Sequence, residues 1–210
     1  MARPRDAVLL LHGLWMNSLA MLYLGRALDH EGFPTESFDY HSMRGTLPEH
    51  VGALAARVAG TAADTVHLVA HSLGGIVALS YLQGPRDTRV GRVVLLGSPI
   101  GGSQAARALA QWPGGDWMLG RSVEIWQSNT RPRLDSTICV GAIAGSTAFG
   151  LGSIFMDVPE PSDGVVTVEE TRLQGLTDHM VLPVSHSGML ISQEVAGQTT
   201  AFLRNGRFER

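Results

Sequence analysis

Ser72 sits where the sequence changes character most abruptly. The residues before it, Val66-His67-Leu68-Val69-Ala70-His71, read as a buried strand, and Leu73-Gly74-Gly75-Ile76-Val77-Ala78-Leu79-Ser80-Tyr81-Leu82 reads as a helix. A chain that passes from strand to helix at one residue forces that residue into strained backbone geometry. Only small residues two positions before and after it let the segments pass so closely. Ala70 and Gly74 meet that demand, which makes Ser72 a candidate nucleophile on a solvent-facing turn. A serine hydroxyl is weak until a base takes its proton, and imidazole is the side chain that titrates near neutral pH. The chain has eight histidines, so the base must be chosen by position rather than by residue type alone.

The run Ala70-His71-Ser72-Leu73-Gly74 resembles the elbow of the α/β-hydrolase family, particularly its small lipase and esterase members, in which Ala often replaces the first Gly. Val8-Leu9-Leu10-Leu11-His12-Gly13-Leu14-Trp15, a buried strand ending in His-Gly, is similar to the family's oxyanion-loop entrance. Leu95-Leu96-Gly97-Ser98-Pro99-Ile100-Gly101-Gly102-Ser103 is similar to its turn toward a lid region. The resemblance covers nearly the whole chain and is thinnest at 101–133. It implies that the backbone N–H groups of Leu14 and Leu73 form an oxyanion hole; Leu73 also opens a helix, where unpaired N–H groups favour negative charge.

The family's chain order, acid and then histidine after the serine, leaves His179 and His186 as bases and makes His12 a loop-shaping residue. His186 lies between the run 180–185 and Ser187-Gly188-Met189-Leu190, a position that resembles the family's histidine loop, whereas His179 precedes that run. Asp163, in Pro161-Ser162-Asp163-Gly164-Val165-Val166, resembles the acid, with Asp157, Glu160 and Asp178 as rivals; Asp135 precedes a strand and is ill placed. The implied triad is Ser72, His186 and Asp163. Its chemistry needs no metal and no organic cofactor.

These residues require a scaffold. Short apolar, β-rich runs recur at 7–11, 35–40, 65–70, 92–96, 137–144 and about 180–184, with helical patterns between several of them. That alternation predicts an α/β three-layer sandwich with a mainly parallel sheet, because parallel strands need crossovers and bury both faces. Thr46-Leu47-Pro48-Glu49 matches a capping box and predicts a helix over 48–62. Further helices are expected at 17–30 and from after Ser187 to before Gly206. The segment 101–133 is too long for an ordinary connection and carries Trp112, Trp117 and Trp126. It is expected to be a lid or cap insertion in a single α/β-hydrolase domain spanning 1–210. A core-covering excursion is the alternative.

A formal charge of −3 and the lack of any Lys or Arg run disfavour nucleic acid and anionic membranes as partners. No stretch reaches the roughly 18 apolar residues of a transmembrane helix. The single cysteine, Cys139, excludes an intrachain disulfide, and no signal-peptide core is visible, so a cytoplasmic location is expected. The expected activity is hydrolysis of a carboxylic ester through an acyl-enzyme on Ser72. The substrate would be a small molecule whose apolar acyl chain lies against Trp15, Met16, the three insertion tryptophans and the run from Phe149 to Phe155. A thioesterase or acyltransferase would use the same residues, and a non-catalytic binding protein could keep the fold. Oligomeric state is open.

Overall fold

Five aliphatic-rich runs and the more polar Thr35-Glu36-Ser37-Phe38 form the strands β1 (Asp6–Leu11), β2 (Thr35–Phe38), β3 (Thr65–His71), β4 (Val90–Leu96), β5 (Val140–Gly145) and β6 (Asp178–Leu182). They join one sheet in the order β2-β1-β3-β4-β5-β6, and every pairing in it is parallel. The computed structural model describes residues 5–103, 119–122, 134, 137–148, 159 and 161–210. Four α-helices lie among them: α1 (Leu22–His30), α2 (Leu47–Gly60), α3 (Leu73–Leu82) and α4 (Gln193–Asn205).

Alternation along β1 explains the layering. Leu9 and Leu11 face a core shared with Leu54 and Val58 of α2 and Val77 of α3. Val8 and Leu10 face a second core with Leu24 and Leu28 of α1 and Val195 and Phe202 of α4. Burying each such Leu, Val or Phe contributes about 1.5–3 kcal/mol relative to exposure, so both faces of the sheet must be covered. The expected three-layer sandwich is therefore present, with a sheet that is parallel at every described pairing.

Local chemistry explains the element ends. Thr46 Oγ1 accepts from the Glu49 N–H while Glu49 Oε2 accepts from the Thr46 N–H at 2.6 Å, which completes the expected capping box of α2. Gly206 closes α4 with φ +72. Two helices differ from expectation. The 17–30 segment begins as a 3-10 turn, Ser18–Met21, under the Asn17 cap, before α1 takes over. The last helix is likewise preceded by a 3-10 turn, Gly188–Ile191, because the Ser192 side chain accepts from the Val195 N–H and starts a fresh helix. The final strand also ends earlier than expected, at Leu182, where Pro183 has no N–H to continue a ladder.

Most of the 101–133 segment, with its three tryptophans, lies outside the described residues. Of the part that is described, Gly120–Ser122 forms a 3-10 turn, and the Arg121 N–H donates to the Met43 carbonyl at 2.9 Å. Among the described residues no helix is long and apolar enough to cross a membrane.

Candidate active site

The chain leaves β1 for the α1 face and β3 for the α2–α3 face, so the two loops part at the carboxyl ends of adjacent strands. In open parallel sheets that divergence is where a crevice forms. Gly13, just beyond β1, borders it. A Cβ there would lie 3.0 Å from His71 Nδ1 and 3.1 Å from Ser72 Cβ, so the first loop runs directly against the turn after β3.

Ser72 occupies that turn with φ +53 and ψ −120, one of two described non-glycine residues with positive φ. Its N–H donates to the Leu96 carbonyl, and its carbonyl accepts from Gly75. The expected close passage is real: a Cβ on Gly74 would lie 2.7 Å from the His12 carbonyl oxygen and 2.8 Å from that of Leu11. Ser72 is less open than the sequence suggested, at 9% exposure, because loops from both sides crowd the turn. Leu73 opens α3, and Leu14 follows Gly13 on the facing loop.

Asp163 is fully buried. Its Oδ2 accepts from His186 Nδ1 at 2.8 Å, and its Oδ1 accepts from the N–H groups of Val165 and Val166 at 3.0 and 2.7 Å. Gly164, at φ +94, allows the tight turn that aims these amides back at the carboxylate. The His186 N–H also donates to the Asp163 carbonyl at 2.9 Å. An ionised carboxylate only accepts, so the ring proton of a neutral His186 sits on Nδ1 and Nε2 keeps its lone pair, the form a general base requires. Asp163 and His186 are thus brought together. Ser72 joins them through its neighbour: the His71 ring centroid lies 4.6 Å from that of His186, and no hydrogen bond joins the Ser72 hydroxyl to His186 among the described residues.

The rival groups are engaged elsewhere or lie outside view. Asp178, at the start of β6, accepts from Arg210 Nη2 at 2.6 Å and from the Phe208 N–H at 2.9 Å. Asp135, Asp157 and Glu160 lie outside the described residues, as does the run from Phe149 to Phe155. His179 shares a 2.8 Å hydrogen bond with Thr171 Oγ1. His12 stacks on Tyr40 at 4.5 Å, and the Tyr40 hydroxyl donates to the His12 carbonyl, which shapes the first loop. Among the described residues no group of three or more His, Cys, Asp or Glu could hold a metal ion.

Three participants escaped the sequence reading. A Cβ on Gly97 would lie 2.9 Å from Asp163 Oδ2, and one on Gly145 would lie 2.7 Å from Asp163 Cβ, so glycines after β4 and at the end of β5 make room for the Asp163 side chain. A glycine at the carboxyl end of successive strands is the signal that could have found them. The third is His71, whose ring is wholly buried.

Burial holds His12, His50, His67 and His71 below the ordinary imidazole value of 6.5, and His71 well below it. The unfolded chain therefore binds more protons than the fold just below pH 6.5, so stability rises with pH through that range and is lost as pH falls toward the folded values. Melting temperature is expected to be highest above pH 7 and to fall steadily toward pH 5, with a shallower fall in His50→Gln. A flat calorimetric profile between pH 7 and 5 would contradict this electrostatic account.

A family model described as "Alpha/beta hydrolase family" matches residues 8–178. The fold is similar to the lipase BlEst2 of Bacillus licheniformis in its mature form, with TM-score 0.70 and 20% identity over 98% of this chain and 93% of that one. It is also similar to a metagenomic carboxyl esterase, with TM-score 0.67 and 16% identity over 89% and 66%. The carboxylesterase CesB of Bacillus subtilis gives TM-score 0.53 and 18% identity over 98% and 85%. No curated protein matches the chain.

Proposed function

This chain belongs to the alpha/beta hydrolase family, and from that premise we propose that it hydrolyses carboxylic esters with Ser72, His186 and Asp163 as its triad. One observation carries the reading: a buried Asp163–His186 pair joined at 2.8 Å, with the His186 ring 4.6 Å from that of His71, the residue just before the strained Ser72. The esterase and lipase names of the similar structures support ester chemistry over other hydrolase reactions.

In this mechanism Ser72 Oγ attacks the acyl carbon as its proton passes to His186 Nε2. Asp163 stays ionised and stabilises the imidazolium. The carbonyl oxygen takes the negative charge and accepts hydrogen bonds from the N–H groups of Leu14 and Leu73, each worth about 2.7–4 kcal/mol in the transition state. Collapse breaks the bond to the alkoxy group, which leaves as the alcohol with the proton from His186. Water then gives a proton to His186 and attacks the acyl-enzyme, and a second collapse releases the acid and restores the Ser72 hydroxyl.

The acyl group would lie along the first loop. Trp15 remains 55% exposed beside it, and Met16 packs partly into the adjoining core, so Trp15 forms an apolar rim and Met16 a wall. Each CH₂ that leaves water there gains about 0.8 kcal/mol, so kcat/KM should rise by roughly severalfold per two carbons from acetyl toward medium chains, until the surface is covered. p-Nitrophenyl esters of graded length, held below their aggregation limits, test this. A profile that falls monotonically from acetyl would remove the apolar acyl site, and no turnover of any ester would remove the proposed activity.

A further inference from the structure

His71 is costly to bury for a residue that only fills space. Its ring is fully enclosed, and Nδ1 has no hydrogen-bond partner among the described residues. A carbonyl oxygen only accepts, so the 3.0 Å contact between His71 Nε2 and the His186 carbonyl requires the ring proton on Nε2. That leaves Nδ1 as a bare lone pair, pressed toward Gly13. An apolar ring would pack in the same place without stranding an acceptor, so the useful part of His71 is its Nε2–H.

The tether has a distinct place in the site. His186 is already held twice by Asp163, through its backbone N–H and through ring Nδ1. Both bonds tie it to the 161–167 loop, and neither relates it to β3. The bond from His71 is the described hydrogen bond that links the His186 peptide to the turn bearing Ser72. We propose that His71 is a positioning residue that sets the His186 imidazole against the Ser72 hydroxyl by tying the His186 carbonyl to the last residue of β3, next to Ser72. The inference rests on the catalytic reading above and deepens it.

The charge state of His71 fits that role. Burial keeps the ring neutral, and the titratable groups that face it among the described residues are His186 and His12. A neutral ring 4.6 Å from His186 leaves the imidazolium free to form during turnover, which a cation in the same place would oppose.

Steady-state kinetics on p-nitrophenyl butyrate, with melting temperatures measured in parallel, test the tether. His71→Phe keeps a ring without the donor, and its kcat is expected to fall on the order of 10- to 100-fold with KM within about twofold, as a displaced base predicts. His71→Gln returns an N–H near the Nε2 position and should recover kcat to within about threefold of the parent. A merely structural role would instead lower the melting temperature and leave Gln no better than Phe. Equal loss in Gln and Phe at matched melting temperatures, or an unchanged kcat in Phe, overturns the proposal. If Phe does not fold, His71→Met carries the same comparison. If neither apolar variant folds, His71→Gln decides alone: a folded Gln variant as slow as about one tenth of the parent overturns the tether. Ser72→Ala, assayed alongside, separates the two readings. Activity remaining in Ser72→Ala defeats the catalytic assignment, whereas an inactive Ser72→Ala beside a fully active His71→Phe defeats the tether alone.

Discussion

Ser72→Ala is expected to lower kcat on an activated ester by on the order of 10⁴- to 10⁶-fold, down to what the oxyanion donors and binding alone provide. The fold should survive. Ser72 is 9% exposed, its backbone bonds to Leu96 and Gly75 do not involve the hydroxyl, and alanine leaves no core cavity. Circular dichroism and melting temperature should match the parent, while covalent labelling by a fluorophosphonate, seen as a shift in intact mass, should vanish. A variant that still hydrolyses ester near the parental rate would sink the nucleophile assignment. A parent chain that never labels would point to a binding protein that retains the fold.

Asp163→Asn should cost about 10⁴ in kcat, for a reason the local bonds spell out. The Val165 and Val166 N–H groups need an acceptor, so the asparagine oxygen takes the place of Oδ1 and its NH₂ turns toward His186. His186 Nδ1 must then accept, its proton moves to Nε2, and no lone pair remains to take the serine proton. Asp178→Asn is the control. It weakens the contacts with Arg210 and the Phe208 N–H and should lower the melting temperature slightly without touching kcat. Comparable kinetic losses in both variants, or a larger one in Asp178→Asn, would show that Asp163 is not the acid.

The scaffold was legible because its causes are local or periodic. Six apolar runs separated by helical patterns can bury both strand faces only in a layered parallel sheet, and Thr46, Glu49 and Gly206 mark helix ends through bonds within a few residues. Boundaries slipped where a polar side chain made a second start, as at Ser192, or where Pro183 withheld a donor. The turn at Ser72 was legible for the same reason as the helix ends: small residues on either side of a strand–helix junction have a steric purpose visible in one dimension. Asp163 and His186 could be singled out only through the resemblance, since no spacing rule joins residues on two separate loops. Gly97 and Gly145 left only the faint mark of a glycine at a strand's carboxyl end, and His71 left none. Their contributions depend on which atoms of distant loops they meet, and a histidine inside a strand looks the same whether its ring faces solvent or holds a distant carbonyl.

Under the proposed mechanism, the left-handed backbone at Ser72 sets heat resistance against turnover within one residue. Holding a residue with a Cβ at such angles costs about 1–3 kcal/mol, and glycine adopts them without the steric penalty. A directed-evolution campaign that rewards only survival of heating would therefore be drawn to the codon for Ser72 and would enrich robust, inert proteins. Any thermostabilisation of this chain has to be selected together with activity, with that codon left untouched.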